Sequence, residues 1–189
     1  MRSCSRPRLV LIAAALVALT TLAPADARAE WIDLGGDRPL TVEVISDTPG
    51  RTVYAITIGG FEAEPVTIGD QTYHEIWLPG ESRSLAAGLP ELPDVRRALA
   101  IADDRAVRIT VLESEHVDLP DMPVAPAKGN LKRTVDPATV PYVFDAFYQG
   151  AGVWPAQLVT TDAPHIVRDL RGVVVDANVF QYLPDTETL

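Results

Sequence analysis

After Glu30 the chain alternates apolar and polar residues in short blocks, and glycine or proline separates one block from the next. Thr41–Ile45 and Thr52–Ile58 both place apolar side chains at every second position, the period of a half-buried strand. Gly59-Gly60 closes the second block, and Val66–Ile68 and Tyr73–Leu78 follow on either side of the turn-forming Gly69-Asp70. Pro79–Pro93 reads as a loop, with small residues, Gly80, Gly88 and Pro90. Asp94–Ala102 is the longest stretch compatible with an amphipathic helix, and Ala106–Leu112 alternates again with Val107, Ile109 and Val111 on one face. From Asp118 to Pro137 the prolines at Pro120, Pro123, Pro126 and Pro137 remove backbone donors and fix φ, so turns and extended chain replace regular structure. Apolar, β-forming residues return at Val140–Phe147, Gln157–Thr160 and Gly172–Tyr182. Many short strands punctuated in this way predict an all-β fold, a sandwich or a barrel.

The first segment has another character. Arg2, Arg6 and Arg8 precede an uncharged apolar run, Leu9–Ala23, and Ala27-Arg28-Ala29 follows it. A positive start, a short apolar stretch and a small-x-small site form the layout of a secretory signal peptide. The run falls short of the roughly 18 residues expected of a membrane-spanning helix. The expectation is cleavage before Glu30, with Ala27 and Ala29 at the cleavage site. Residues 1–29 would then be the leader and residues 30–189 a single β domain without a membrane span, exported to the periplasm or beyond the cell.

Charge and cysteine use narrow the chemistry. The chain has 26 acidic and 16 basic residues, a net charge of −10. Without Arg2, Arg6, Arg8, Arg28 and Asp26 of the leader, 12 basic residues face 25 acidic ones, a net −13. Phosphate backbones repel such a polyanion, so nucleic acid is excluded as a partner. Cys4 is the one cysteine and leaves with the leader, so the exported domain has no disulfide, thiolate ligand or cysteine nucleophile.

No catalytic or metal motif emerges. His74, His116 and His165 match no zinc spacing, and Glu113 and Glu115 alternate as on a solvated strand face. Asp103-Asp104 beside Arg105 reads as a turn, and Asp118 and Asp121 lack the spacing of a calcium loop. No cofactor is expected. Trp31, Trp77 and Trp154 are candidates for a stacking platform, which would suit an adhesion or carbohydrate-binding module; burial in the core accounts for them more cheaply.

One cluster stands apart in this acidic chain. Lys128-Gly129-Asn130-Leu131-Lys132-Arg133 lies between prolines that stiffen it on both sides. A rigid, exposed loop that presents an arginine suits an acidic pocket, because the guanidinium fork binds a carboxylate bidentately and preorganisation lowers the ordering cost.

Several segments carry a family resemblance in order and with similar spacing: Gly88–Pro93, Ala125–Gly129, Arg133, Asp136-Pro137, Val140–Val143, Trp154-Pro155, Ala163-Pro164, Arg168–Gly172 and Gln181–Pro184. From about Gly88 onward the chain resembles the N-terminal propeptide of gingipain-type (family C25) cysteine peptidases, while Trp31–Leu78 is similar only in being strand-rich. The resemblance implies a jelly-roll-like β-sandwich prodomain that packs on a cysteine peptidase catalytic domain, assists its folding and inhibits it. It implies that a basic loop residue enters the specificity pocket. The inhibitory position then falls on Arg133, with Lys132 as the neighbour that could replace it in register, on a loop that starts at Lys128 and Gly129. Inhibition would be in cis, within a longer precursor, or in trans. The family continues into further strands and a His–Cys catalytic domain, so residues 30–189 would be a prodomain short of its C-terminal end, itself without peptidase activity.

Overall fold

The computed structural model describes residues 28–189, and the predicted leader up to and including Ala27 lies outside them. Ala29 directly precedes the first strand, β1 (Glu30–Asp33). No helix among the described residues is long and apolar enough to cross a membrane.

Among the described residues ten strands form two packed layers and a side hairpin. One layer has β1, β4 (Gly60–Ile68) and β5 (Gln71–Trp77), in the order β1-β4-β5 and antiparallel throughout. The other has β6 (Ser82–Arg83), β7 (Pro93–Ala100), β10 (Leu170–Ala177) and β8 (Val159–Thr161) in that order, with β9 (His165–Val167) pairing β10 at its start. β2 (Leu40–Thr48) and β3 (Arg51–Ile58) form the hairpin, whose Leu40, Ile56 and Ile58 lean on the edge of the core.

The core follows from the period of two. On β4 and β5, Phe61, Ala63 and Ile76 are buried; on β7 and β10, Val95 and Ala177 meet them, and Leu92, Val124, Phe180, Tyr182 and Leu189 close the cluster. Phe61 meets Phe180 edge to face at 5.0 Å between ring centroids, a favoured aromatic geometry. Burial pushes the Tyr182 hydroxyl up to about 12. Gly60 starts β4 because nothing larger fits: a Cβ there would strike the Trp31 ring and lie 2.7 Å from the Ile32 carbonyl oxygen.

Several expectations are corrected. Asp94–Ala102 is not a helix: Val95 to Ala100 pair residue by residue with β10, and this ladder overrides the helical propensity of its arginines and alanines. Ala106–Leu112 is not a strand, because β10 already has β7 on one side and β8 and β9 on the other. Residues 106–118 run without regular structure, and Glu113 and Glu115 are exposed there. Val140–Phe147 forms no strand either; short 3-10 turns at Pro137–Thr139 and Ala146–Gln149, capped by Asp136 and Asp145, bracket it. The loop Pro79–Pro93 contains β6, and β4 starts at Gly60, earlier than the expected Val66.

Electrostatics across the second layer is unfavourable at one point. Asp176 lies opposite Arg96 in the β10–β7 register, but the Arg96 Nε to Asp176 Oδ2 distance is 3.6 Å, and Arg96 also bonds Asp162 at 2.9 Å. Burial first, then the neighbouring Asp94, raise the Asp176 carboxyl above its ordinary range. A raised folded-state pKa means that the native state holds the proton more tightly than the unfolded chain, so this group's stabilising contribution is present at low pH and is lost as pH rises through the carboxylate range. Asp176→Asn is therefore expected to raise the melting temperature at pH 7 and to leave it unchanged below about pH 3. Thermal melts of both proteins across that range check the sign.

Candidate functional site: a basic loop on a clamped neck

The basic loop rises from a buried strap. Pro123, Val124, Ala125, Pro126 and Ala127 are all buried. Their prolines forbid a regular ladder, yet the remaining backbone groups find partners on both sides. His74 N donates to Pro123 O (2.7 Å) and Ala125 N to His74 O (2.9 Å), which lays the strap along β5. Glu91 N donates to Ala125 O, Ala127 N to Leu89 O and Gly88 N to Ala127 O (2.8–3.0 Å), so the expected Gly88–Pro93 turn flanks the other side.

At the end of the strap the chain leaves the core. Gly129 takes φ +84°, in the left-handed region that favours glycine, and a Cβ there would come within 3.1 Å of Ala87 Cβ. Val135 N donates to Lys132 O at 2.9 Å, which closes a β-turn with Arg133 and Thr134 at its two central positions. Asp136 then caps Pro137–Thr139, its carboxylate accepting from Ala138 N at 2.9 Å. Lys132 and Arg133 are both exposed, and among the described residues neither makes an ion pair or a side-chain hydrogen bond.

Lys128 behaves differently from the other two cations. Its Nζ donates to Pro137 O at 2.9 Å, across the neck of the loop, and lies 4.0 Å from the centroid of the Tyr142 ring. Tyr142 Oη donates to Glu75 Oε1 at 2.6 Å, and burial, followed by this bond, pushes its pKa well above the ordinary tyrosine value. Arg83 bridges Glu75 and Glu91 at 3.3 Å each and stacks 3.3 Å over Trp77. Burial raises the Glu91 carboxyl, and Arg83 beside it opposes the rise.

This network uses one face of β5 in sequence. Tyr73, Glu75 and Trp77 share that face by the period of the strand. Phe144 packs on Tyr73 at 5.1 Å, Tyr142 bonds Glu75, and Arg83 covers Trp77. The apolar pattern alone marks Tyr142 and Phe144 as packing residues, but it does not single out Glu75, Arg83 or Glu91. The one signal, for Glu75 alone, is its place between Tyr73 and Trp77 on one face of β5, which names no partners.

The remaining candidates are dispersed. His74 is on β5, His116 is exposed 4.0 Å from Asp118, and His165 is on β9. Among the described residues no three His, Cys, Asp or Glu side chains gather as a metal site. Trp31 and Trp77 flank Glu62 in register on one sheet face, but Arg83 covers Trp77, and Trp154 packs against Phe147 with its Nε1 buried. The three tryptophans form no common platform. Asp103-Asp104 is a turn, and Arg171 donates to the carbonyls of Ala102 and Arg105 beside it, a local structural role.

The comparisons with known proteins agree with this architecture. The chain is 38% identical over 102 residues to gingipain R1 of Porphyromonas gingivalis, covering 54% of this chain and 10% of that protein. Against gingipain R2 of the same organism it is 37% identical over 102 residues, covering 54% of this chain and 14% of that one. It thus spans a small fraction of these relatives' length. Among solved structures, a complex of P. gingivalis RgpB pro- and mature domains superposes with a TM-score of 0.74 and 27% identity, over 78% of this chain and 77% of that one. A gingipain K structure concerned with zymogenic latency superposes at 0.69 with 18% identity, over 85% and 91%, and so shares the fold. The family match begins at Gly59, well before the resemblance seen from Gly88, and it takes in β4, β5 and the strap that carries the loop. Matched over residues 59–189, the chain belongs to the Propeptide_C25 family and is a protease propeptide.

Proposed function

We propose that this chain is the exported, inhibitory and folding-assisting prodomain of a gingipain-type cysteine endopeptidase, and that Arg133 fills the enzyme's acidic specificity pocket. The observation that carries the reading is the placement of Arg133. It stands at the centre of a tight turn, exposed and without an ion-pair partner among the described residues, on a strap whose five residues are buried. Support comes from the relatives, gingipain R1 and gingipain R2, and from the neighbouring structure, a complex of pro- and mature domains.

The chemistry is electrostatic and steric, and no bond need be made or broken. The guanidinium brings five donors in a planar fork to a carboxylate, and the turn fixes the backbone that carries it, so little backbone ordering entropy is lost on docking. The rest of the domain excludes substrate by occupying the approach to the site. The same preformed surface would give the folding catalytic domain a template.

The full chain is expected to inhibit an Arg-specific gingipain-type peptidase in trans. Lys132→Ala is expected to keep the inhibition constant within about threefold, as befits a flanking charge that is screened by solvent. Titration of peptidase activity with each protein reads this directly. Loss of inhibition in Lys132→Ala would move the pocket role one residue back.

A further inference from the structure

Both legs of the basic loop stand on one strand. The incoming leg, the strap, is bonded through backbone to His74 of β5, and the outgoing leg places Tyr142 and Phe144 on Glu75 and Tyr73 of the same strand. Lys128 ties the two legs together, since it belongs to the incoming leg, its Nζ donates to Pro137 O on the outgoing one, and it rests on the Tyr142 ring. Between those ties lie Gly129–Asp136, which carry Arg133. We propose that Lys128 is a positioning residue: it clamps the neck of the loop in the free prodomain and thereby presets where Arg133 points. This rests on the inhibitory reading of Arg133 given above.

The contacts favour a clamp over a second pocket residue. An ammonium already committed to a carbonyl and an aromatic face would have to break both contacts to enter a pocket, whereas the side chains of Lys132 and Arg133 have no ion pair or hydrogen bond to break among the described residues. The carbonyl bond shortens the effective span between the legs, so fewer loop conformers are left to be ordered on docking. The cation–π contact also requires the ring to stay in place, and the Tyr142–Glu75 bond holds it there.

Two readouts separate the clamp from the inhibitory role itself. The first is hydrogen exchange in the free full chain at the amides of Val135, Thr139 and Val140, which donate to Lys132 O, Asp136 O and Pro137 O. Lys128→Met, which keeps the length and removes the charge and donor, is expected to speed their exchange roughly tenfold, and Lys128→Arg to restore it. Unchanged exchange in Lys128→Met would overturn the clamp whether or not the chain inhibits anything. The second readout is inhibition of the Arg-specific peptidase, where Lys128→Met is expected to raise the inhibition constant about tenfold. In an Arg133→Ala background the same change is expected to do nothing further, because a positioning residue acts only through the group it positions. Equal effects in both backgrounds would show that Lys128 makes its own contact with the enzyme and would overturn the proposal. Should Lys128→Met fail to fold, Tyr142→Phe, which keeps the ring and frees it from Glu75, is expected to shift both readouts in the same direction by a smaller factor, and no shift in either would count against the clamp.

Discussion

Arg133→Ala is expected to weaken inhibition of an Arg-specific gingipain-type peptidase by about thirtyfold to a few thousandfold, the equivalent of roughly 2–5 kcal/mol for truncating one partner of a desolvated charge pair. The size of the effect comes from the enzyme side, where an acidic pocket would be left closed over without its counter-ion. Nothing comparable is lost on the prodomain side. Arg133 is exposed and makes no ion pair among the described residues, so the variant's own unfolding free energy should stay within about 0.5 kcal/mol of the parent's. Arg133→Lys is expected to fall between the two, because it retains charge and loses the bidentate fork. Inhibition constants and thermal melts of the three proteins check the pattern. Equal inhibition by parent and alanine variant would remove Arg133 from the account.

The largest effect on the fold itself is expected at Phe61. Its side chain is 0% exposed, at the junction of the two layers, and packs edge to face on Phe180. Phe61→Ala removes the ring and leaves a cavity between layers that are pinned by their ladders and cannot collapse into it, so a loss of about 3–5 kcal/mol is expected. A domain with a total stability of about 5–15 kcal/mol would then be marginal or unfolded at 37 °C. Leu170→Ala serves as the control: at 64% exposure it should change stability by no more than about 0.5 kcal/mol. Urea unfolding of the two variants measures the difference, and a loss below about 1 kcal/mol for Phe61→Ala would contradict the placement of the core.

What can be read from sequence divides along local and non-local lines. β2, β3 and β5 are legible because a period of two over five or more residues fits a strand and little else. β7 is not, since Val95-Arg96-Arg97-Ala98-Leu99-Ala100 satisfies a helical pattern equally well and only the partner strand β10 decides. Ala106–Leu112 shows the reverse error: a sound strand pattern forms no strand when both edges of the neighbouring strand are taken. The apolar run at Val140–Phe147 serves side-chain docking on β5 instead of a ladder, a use that leaves no periodic trace.

The loop repeats this division on a smaller scale. Pro123, Pro126 and Pro137 announce a stiff segment, and the position of Arg133 within it is open to a sequence reading. The different standing of Lys128 is not. Three cations in six residues look equivalent until Pro137 O and the Tyr142 ring are seen to hold one of them. Glu75, Arg83 and Glu91 escape for the same reason, because they meet only when β5, β6 and the strap's flank converge.

The central claim, that this prodomain blocks its enzyme by placing Arg133 in the pocket used by a substrate arginine, is tested most directly by the mode of inhibition. The full chain and a small arginyl peptide substrate would be titrated together against an Arg-specific gingipain-type peptidase. Direct occupation of the pocket predicts a competitive pattern, with the apparent inhibition constant rising in proportion to substrate above KM. Inhibition that is independent of substrate concentration would place the contact elsewhere on the enzyme and contradict the assignment.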